Sequence, residues 1–116
     1  MNVAAAPADR DYCRRVLPRV SRTFAINIRV LAGPFGEAVR VAYLLCRIAD
    51  ALEDSWPGEP AAIARRFDLL RAALAGDGVA AGTLAAAAAA LRANRDDLAL
   101  VAELPRVLRV FAALAP

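Results

Sequence analysis

The chain has no histidine and no lysine, and aromatics make up only 6% of it. It also lacks the marks of β structure: no alternating run of Val, Ile, Thr or Tyr, and no Asn-Gly hairpin turn. These absences exclude a sheet protein and point to helices. With lysine missing, all 15 basic residues are arginine. That usage, like the alanine excess, reads as base composition of the gene rather than chemistry. No dense basic run with interleaved aromatics occurs, so the net charge of +3 permits an anionic ligand but does not argue for nucleic acid. The two cysteines, Cys13 and Cys46, have neither metal-site nor redox spacing. Cys46 sits in an apolar segment and reads as a small core residue. A reducing, cytoplasmic compartment fits. The opening MNVAAAPADR lacks the basic start and apolar core of a signal peptide. The longest uncharged run, Gly78 to Leu91, is too short and too alanine-rich to span a bilayer. Peripheral membrane contact stays open.

What is present is apolar. The 116 residues are 59% hydrophobic, enough for one domain with a real core. Residues 1–8 read as a frayed lead. Asp9 or Asp11 is placed to cap a short helix from Asp11 to Leu17, which Pro18 breaks or restarts. A second helix is expected from Val20 to Leu31, then a turn at Gly33-Pro34, with Pro34 suited to the first turn of the next helix. Ser55 to Pro60 is a loop. Ala61 to Leu74 has Ile63, Phe67, Leu70 and Leu74 at core spacing, with Arg65, Arg66 and Asp68 toward solvent. Ala80 to Glu103 is helical by propensity, and its alanines allow close helix approach. Pro105 marks a new start. The final piece, Arg106 to Leu114, carries Val107, Leu108, Val110, Phe111 and Leu114 with nothing after them to cover them.

The stretch Val39 to Asp54, VRVAYLLCRIADALED, is different. At about 100° per residue Tyr43, Arg47, Asp50 and Asp54 fall on one narrow stripe of an otherwise apolar helix. A polar stripe on a buried helix is costly unless an arginine or an external cation compensates it. Carboxylates four apart can present oxygens to magnesium shared with phosphate. For a bare DxxxD a solvated helix end is the commoner explanation, and Arg47 has the simpler role of pairing with Asp50 or Asp54. What favours chemistry is the setting, since acids near a helix C-terminus oppose the dipole. A second constellation, Val20-Ser21-Arg22-Thr23-Phe24-Ala25, puts two hydroxyls around an arginine just after a proline. That is a ready anion site or an ordinary N-cap.

In this order and at this separation, YCRRVLPRVSRTFAINIRVLAGP and then EAVRVAYLLCRIADALED resemble the N-terminal part of the squalene/phytoene synthase family, the head-to-head prenyl synthases. The resemblance covers Tyr12 to Asp54 and leans toward squalene synthase. It implies an all-α, isoprenoid-synthase-type helical fold around a deep cavity, with residues 9–116 as its N-terminal part. It implies that Asp50 and Asp54 hold magnesium against a substrate diphosphate, and that Glu53 matches an acidic position on a different face. It further implies that Ser21, Arg22, Thr23 and Phe24 line the substrate entrance, and that Tyr43 and Arg47 are the catalytic pocket positions beside the acids. The substrate expected is farnesyl diphosphate, with NADPH as reductant on the squalene branch.

The family's members are far longer and carry a second aspartate-rich motif. Asp96-Asp97 is a lone pair without that spacing. A truncated chain lacking the C-terminal half of the enzyme, inactive alone, is therefore expected. The alternative is a non-catalytic helical interaction module that binds a partner helix through an exposed apolar face.

Overall fold

The computed structural model describes residues 6–21 and 33–114. Among them are six helices and no strand: α1 Pro7–Val20, α2 Gly33–Asp54, α3 Pro60–Leu74, α4 Gly78–Ala90, α5 Asp96–Ala102 and α6 Leu104–Ala113. The described residues are all-α, consistent with an isoprenoid-synthase-type helical fold. It divides into two compact units, Met1–Leu45 with Arg106–Pro116, and Cys46–Pro105.

In the first unit, α1 begins at Pro7, inside the stretch read as a lead, and runs to Val20 through Pro18. Pro18 does not break it. The proline falls in the last turn, where only the carbonyl of the exposed Arg14 loses its partner, and the helix is about to end. No side chain caps α1; Pro7 at its start has no N–H to satisfy. Asp9 has another use. It is buried, and Arg109 of α6 donates to it from Nε at 2.8 Å and from Nη2 at 3.0 Å. Arg106 stacks 5.5 Å from the ring centre of Tyr12. Hydrogen bonding from Arg109 holds the Asp9 carboxyl below the usual carboxylate range, against the opposing pull of burial. Val107 and Val110, expected to lack cover, are buried, whereas Phe111 is exposed. The helix expected over Val20 to Leu31 lies outside the described residues beyond Ser21.

Cys46, read as a core residue, departs from that expectation. Cys46 is exposed and Cys13 is buried. Burial pushes the Cys13 thiol up to about 11, with Arg40 pulling the other way, so it stays protonated and unreactive at neutral pH.

In the second unit, α3 packs on α4 and α4 on α5. The alanines of α4 work as small packing residues: Ala80, Ala81, Ala85 and Ala88 are buried around Leu84. The single helix expected from Ala80 to Glu103 is broken. After Ala90, Leu91 and Arg92 donate to carbonyls only three residues back. Arg92 takes a positive φ of 49° and Arg95 is extended, so the chain can reverse direction into α5. Alanine propensity favours a continuous helix, but packing of Leu98, Leu100 and Val101 into the interior outweighs it.

The α3–α4 corner is closed by its own backbone. Asp77 N–H donates to Ala72 and Gly76 N–H to Ala73, both at 3.0 Å, around Gly76 at φ 109°. This is a Schellman turn, which only glycine adopts without strain. The Asp77 side chain then caps α4 by accepting from the N–H groups of Val79 and Ala80, both at 3.0 Å. Asp77→Ala is expected to cost about 1 kcal/mol. A urea unfolding midpoint unchanged by the substitution would contradict that.

Arg66 is not free in solvent as expected. Its guanidinium lies 4.4 Å from the ring centre of the buried Trp56 and donates to the carbonyls of Trp56 and Pro57, both at 2.9 Å. Leu74, read as core, is 40% exposed, because Ala73 takes the buried position. Among the described residues no helix is long and apolar enough to cross a membrane.

Candidate functional site

Helix α2 carries the polar stripe and is longer than the sequence pattern required, starting at Gly33 with Pro34 in its first turn. Val41, Leu44, Ile48, Ala51 and Leu52 are buried, which fixes the helix rotation. With that face inward, Asp50 and Asp54 point outward and are exposed, and Arg47 and Tyr43 are half-buried at the margin. The three acids therefore escape the burial cost that a polar stripe on a buried helix would carry. They are repelled by each other and by the helix C-terminus, and water screens that repulsion.

Arg47, like Tyr43, is half-buried where the acids are exposed. Its Nη1 stands 3.7 Å from Asp50 Oδ2, long for an ion pair. Its Nε is buried and has no hydrogen-bond partner among the described residues. A half-buried guanidinium with an unmet donor has capacity for an anion. Glu53 is exposed and sits about 60° from Asp50 and about 100° from Asp54 around the helix, on a different line. Among the described residues no three acidic, cysteine or histidine side chains gather to hold a metal.

Of the second block, Ser21 lies half-buried at the C-terminal end of α1, its N–H bonded to the carbonyl of Leu17 at 2.9 Å. Arg22, Thr23 and Phe24 lie outside the described residues.

Asp97, half of a lone acidic pair in the sequence, has a structural role. Asp97 is buried at the start of α5. It accepts from Ser55 Oγ, from Arg95 Nε at 3.2 Å and from the Leu98 N–H at 2.9 Å. Burial raises its pKa, but the Ser55 and Arg95 hydrogen bonds outweigh that and leave it below the ordinary carboxylate value. Ser55 is the residue after Asp54. The sequence shows only its near neighbour Arg95; the contact with Ser55, forty-two residues away, carries no local signal.

A cleft of about 490 Å³ opens between α3 and α4, lined by Trp56, Arg65, Arg66, Leu69, Thr83 and Leu84 among others. None of the candidate site residues among the described ones lines it.

A family model described as squalene/phytoene synthase matches residues 17–116. No curated protein and no solved structure matches the chain.

Proposed function

Because the chain belongs to the squalene/phytoene synthase family, we propose that the α2 stripe holds the diphosphate of a prenyl substrate in a magnesium-dependent, head-to-head prenyl transfer. Family membership supports a prenyltransferase-type function in general. The finer reading takes farnesyl diphosphate as substrate and presqualene diphosphate as first product, with NADPH as reductant on the squalene branch. The observation that carries it is the exposure of Asp50 and Asp54 on one line of α2, with Arg47 a turn before them.

Two solvent-facing carboxylates one turn apart suit a hard cation that takes oxygen ligands and shares them with phosphate. Asp50 and Asp54 would hold it. When bound, magnesium supplies Lewis-acid neutralisation of the leaving diphosphate. Arg47 donates to diphosphate oxygens from a guanidinium that Asp50 only partly occupies. Donors aimed at charge that grows as the allylic C–O bond breaks stabilise the transition state more than the ground state. Tyr43 stands one turn before Arg47 on the same helix, and Ser21, Arg22, Thr23 and Phe24 form the substrate entrance in this reading.

Two carboxylates on one helix are a partial ligand set. The purified 116-residue chain is therefore expected to bind farnesyl diphosphate only when magnesium is present, without releasing pyrophosphate. Calorimetric titration with magnesium and with chelator, beside a pyrophosphate assay, tests both halves. Binding that ignores magnesium would overturn the site assignment. Magnesium-dependent pyrophosphate release would overturn the expected inactivity.

A further inference from the structure

We propose that Asp97 is a positioning residue for the acidic end of α2, acting through Ser55 to hold Asp54 toward the diphosphate. The inference rests on Asp50 and Asp54 being the acids of the diphosphate site. Its ground is a conflict at the end of α2. The last turn carries Asp50, Glu53 and Asp54, all exposed, at the negative end of the helix dipole with no basic residue in the turn. Such a turn frays unless something outside the helix holds it.

Two anchors do so from within the same unit. Ser55 N–H closes the turn onto the Ala51 carbonyl at 3.1 Å. Ser55 Oγ donates to Asp97, forty-two residues on in sequence. Asp97 can serve as a fixed post because its other partners are in place: Arg95 Nε at 3.2 Å and the Leu98 N–H at 2.9 Å. Its own charge lies at the favourable end of α5. The next residue, Trp56, is buried, and Arg66 holds the carbonyls of Trp56 and Pro57. The segment just past Asp54 is thus tied to α5 and to α3. The backbone that carries the exposed Asp54 is held in place, and a pre-set ligand position raises affinity for a cation that demands fixed oxygen geometry.

The test uses the full chain with magnesium and inorganic pyrophosphate as probe. Ser55→Ala is expected to weaken magnesium-dependent pyrophosphate binding about tenfold, in the range typical of groups that orient metal ligands. Ser55→Thr, which keeps the hydroxyl, is expected to restore it. Amide exchange at Asp54 to Trp56, measured without ligand, is expected to quicken in Ser55→Ala. The Ser55→Ala effect should vanish when Asp54 is already Asn, and persist when Asp50 is Asn. A purely structural serine would weaken binding equally in both backgrounds, and that result overturns the proposal. So does faster exchange with unchanged affinity. Failure of the unsubstituted chain to bind magnesium pyrophosphate overturns the reading of the acids themselves, and is distinguished by its independence of any substitution.

Discussion

Replacing Asp50 and Asp54 together by Asn is expected to weaken magnesium-dependent binding of farnesyl diphosphate by about 100-fold or more. Each carboxylate supplies a charged oxygen ligand, and loss of one charged interaction costs about 1.5–3 kcal/mol, or roughly tenfold or more. Stability should hardly change. Both side chains are exposed, and Arg47 stands 3.7 Å from Asp50. Removing these acids also relieves repulsion at the helix C-terminus, so the unfolding midpoint should hold or rise slightly. Glu53→Gln, on a different line of the helix, is expected to stay within about threefold of the parent. Calorimetry on both variants and the parent checks the set. A Glu53→Gln loss larger than that of the double variant would mean that α2 presents a different face to the ligand.

The largest effect on stability is expected from Arg109→Ala. Asp9 is 4% exposed, and Arg109 supplies both of its guanidinium hydrogen bonds across one hundred residues of sequence. Truncating the arginine leaves a carboxylate desolvated and short of its main partner, at a cost of about 2–3 kcal/mol. The cost falls at the low end of that for a buried pair because Arg109 itself is half exposed and Asp9 sits in the first turn of α1. Arg109→Lys should recover part, since an ammonium cannot reproduce the two-pronged fork.

The effect has a pH signature. The Asp9 pKa is lowered on folding, so its stabilisation is fully present above the unfolded value of 3.8 and is lost as pH falls through the folded pKa. The gap between parent and Arg109→Ala should therefore be constant near neutrality and close as the medium becomes strongly acidic. Urea unfolding across pH measures it. A gap that widens in acid would contradict the assignment.

The fold class and the stripe were legible because both rest on local periodicity. Val41, Leu44, Ile48 and Leu52 recur at helical spacing and are buried, and this leaves Asp50 and Asp54 outward. What was not legible came from contacts between distant residues. Nothing near Asp9 in sequence announces Arg109, so the acid read as a cap. Nothing near Asp97 announces Ser55, so the acid read as a stray. Alanine propensity carried the helix expectation through Leu91 to Arg95, where the packing of α5 on α4 demands a reversal. Cys46 read as core because its neighbours are apolar, but residue 46 falls on the outer line of a helix whose inner line is already filled. The helical spacing that turns Asp50 outward turns Cys46 outward as well.

The central claim is that the Asp50–Asp54 line of α2 is a cation-diphosphate site. Manganese, which accepts the same oxygen ligands as magnesium and broadens nearby resonances, reports on it directly. With inorganic pyrophosphate present, titrated manganese is expected to broaden the amides around Arg47, Asp50 and Asp54 first, and excess magnesium is expected to reverse it. Broadening centred on other acids, such as Asp11 or Asp68, or no displacement by magnesium, would contradict the account.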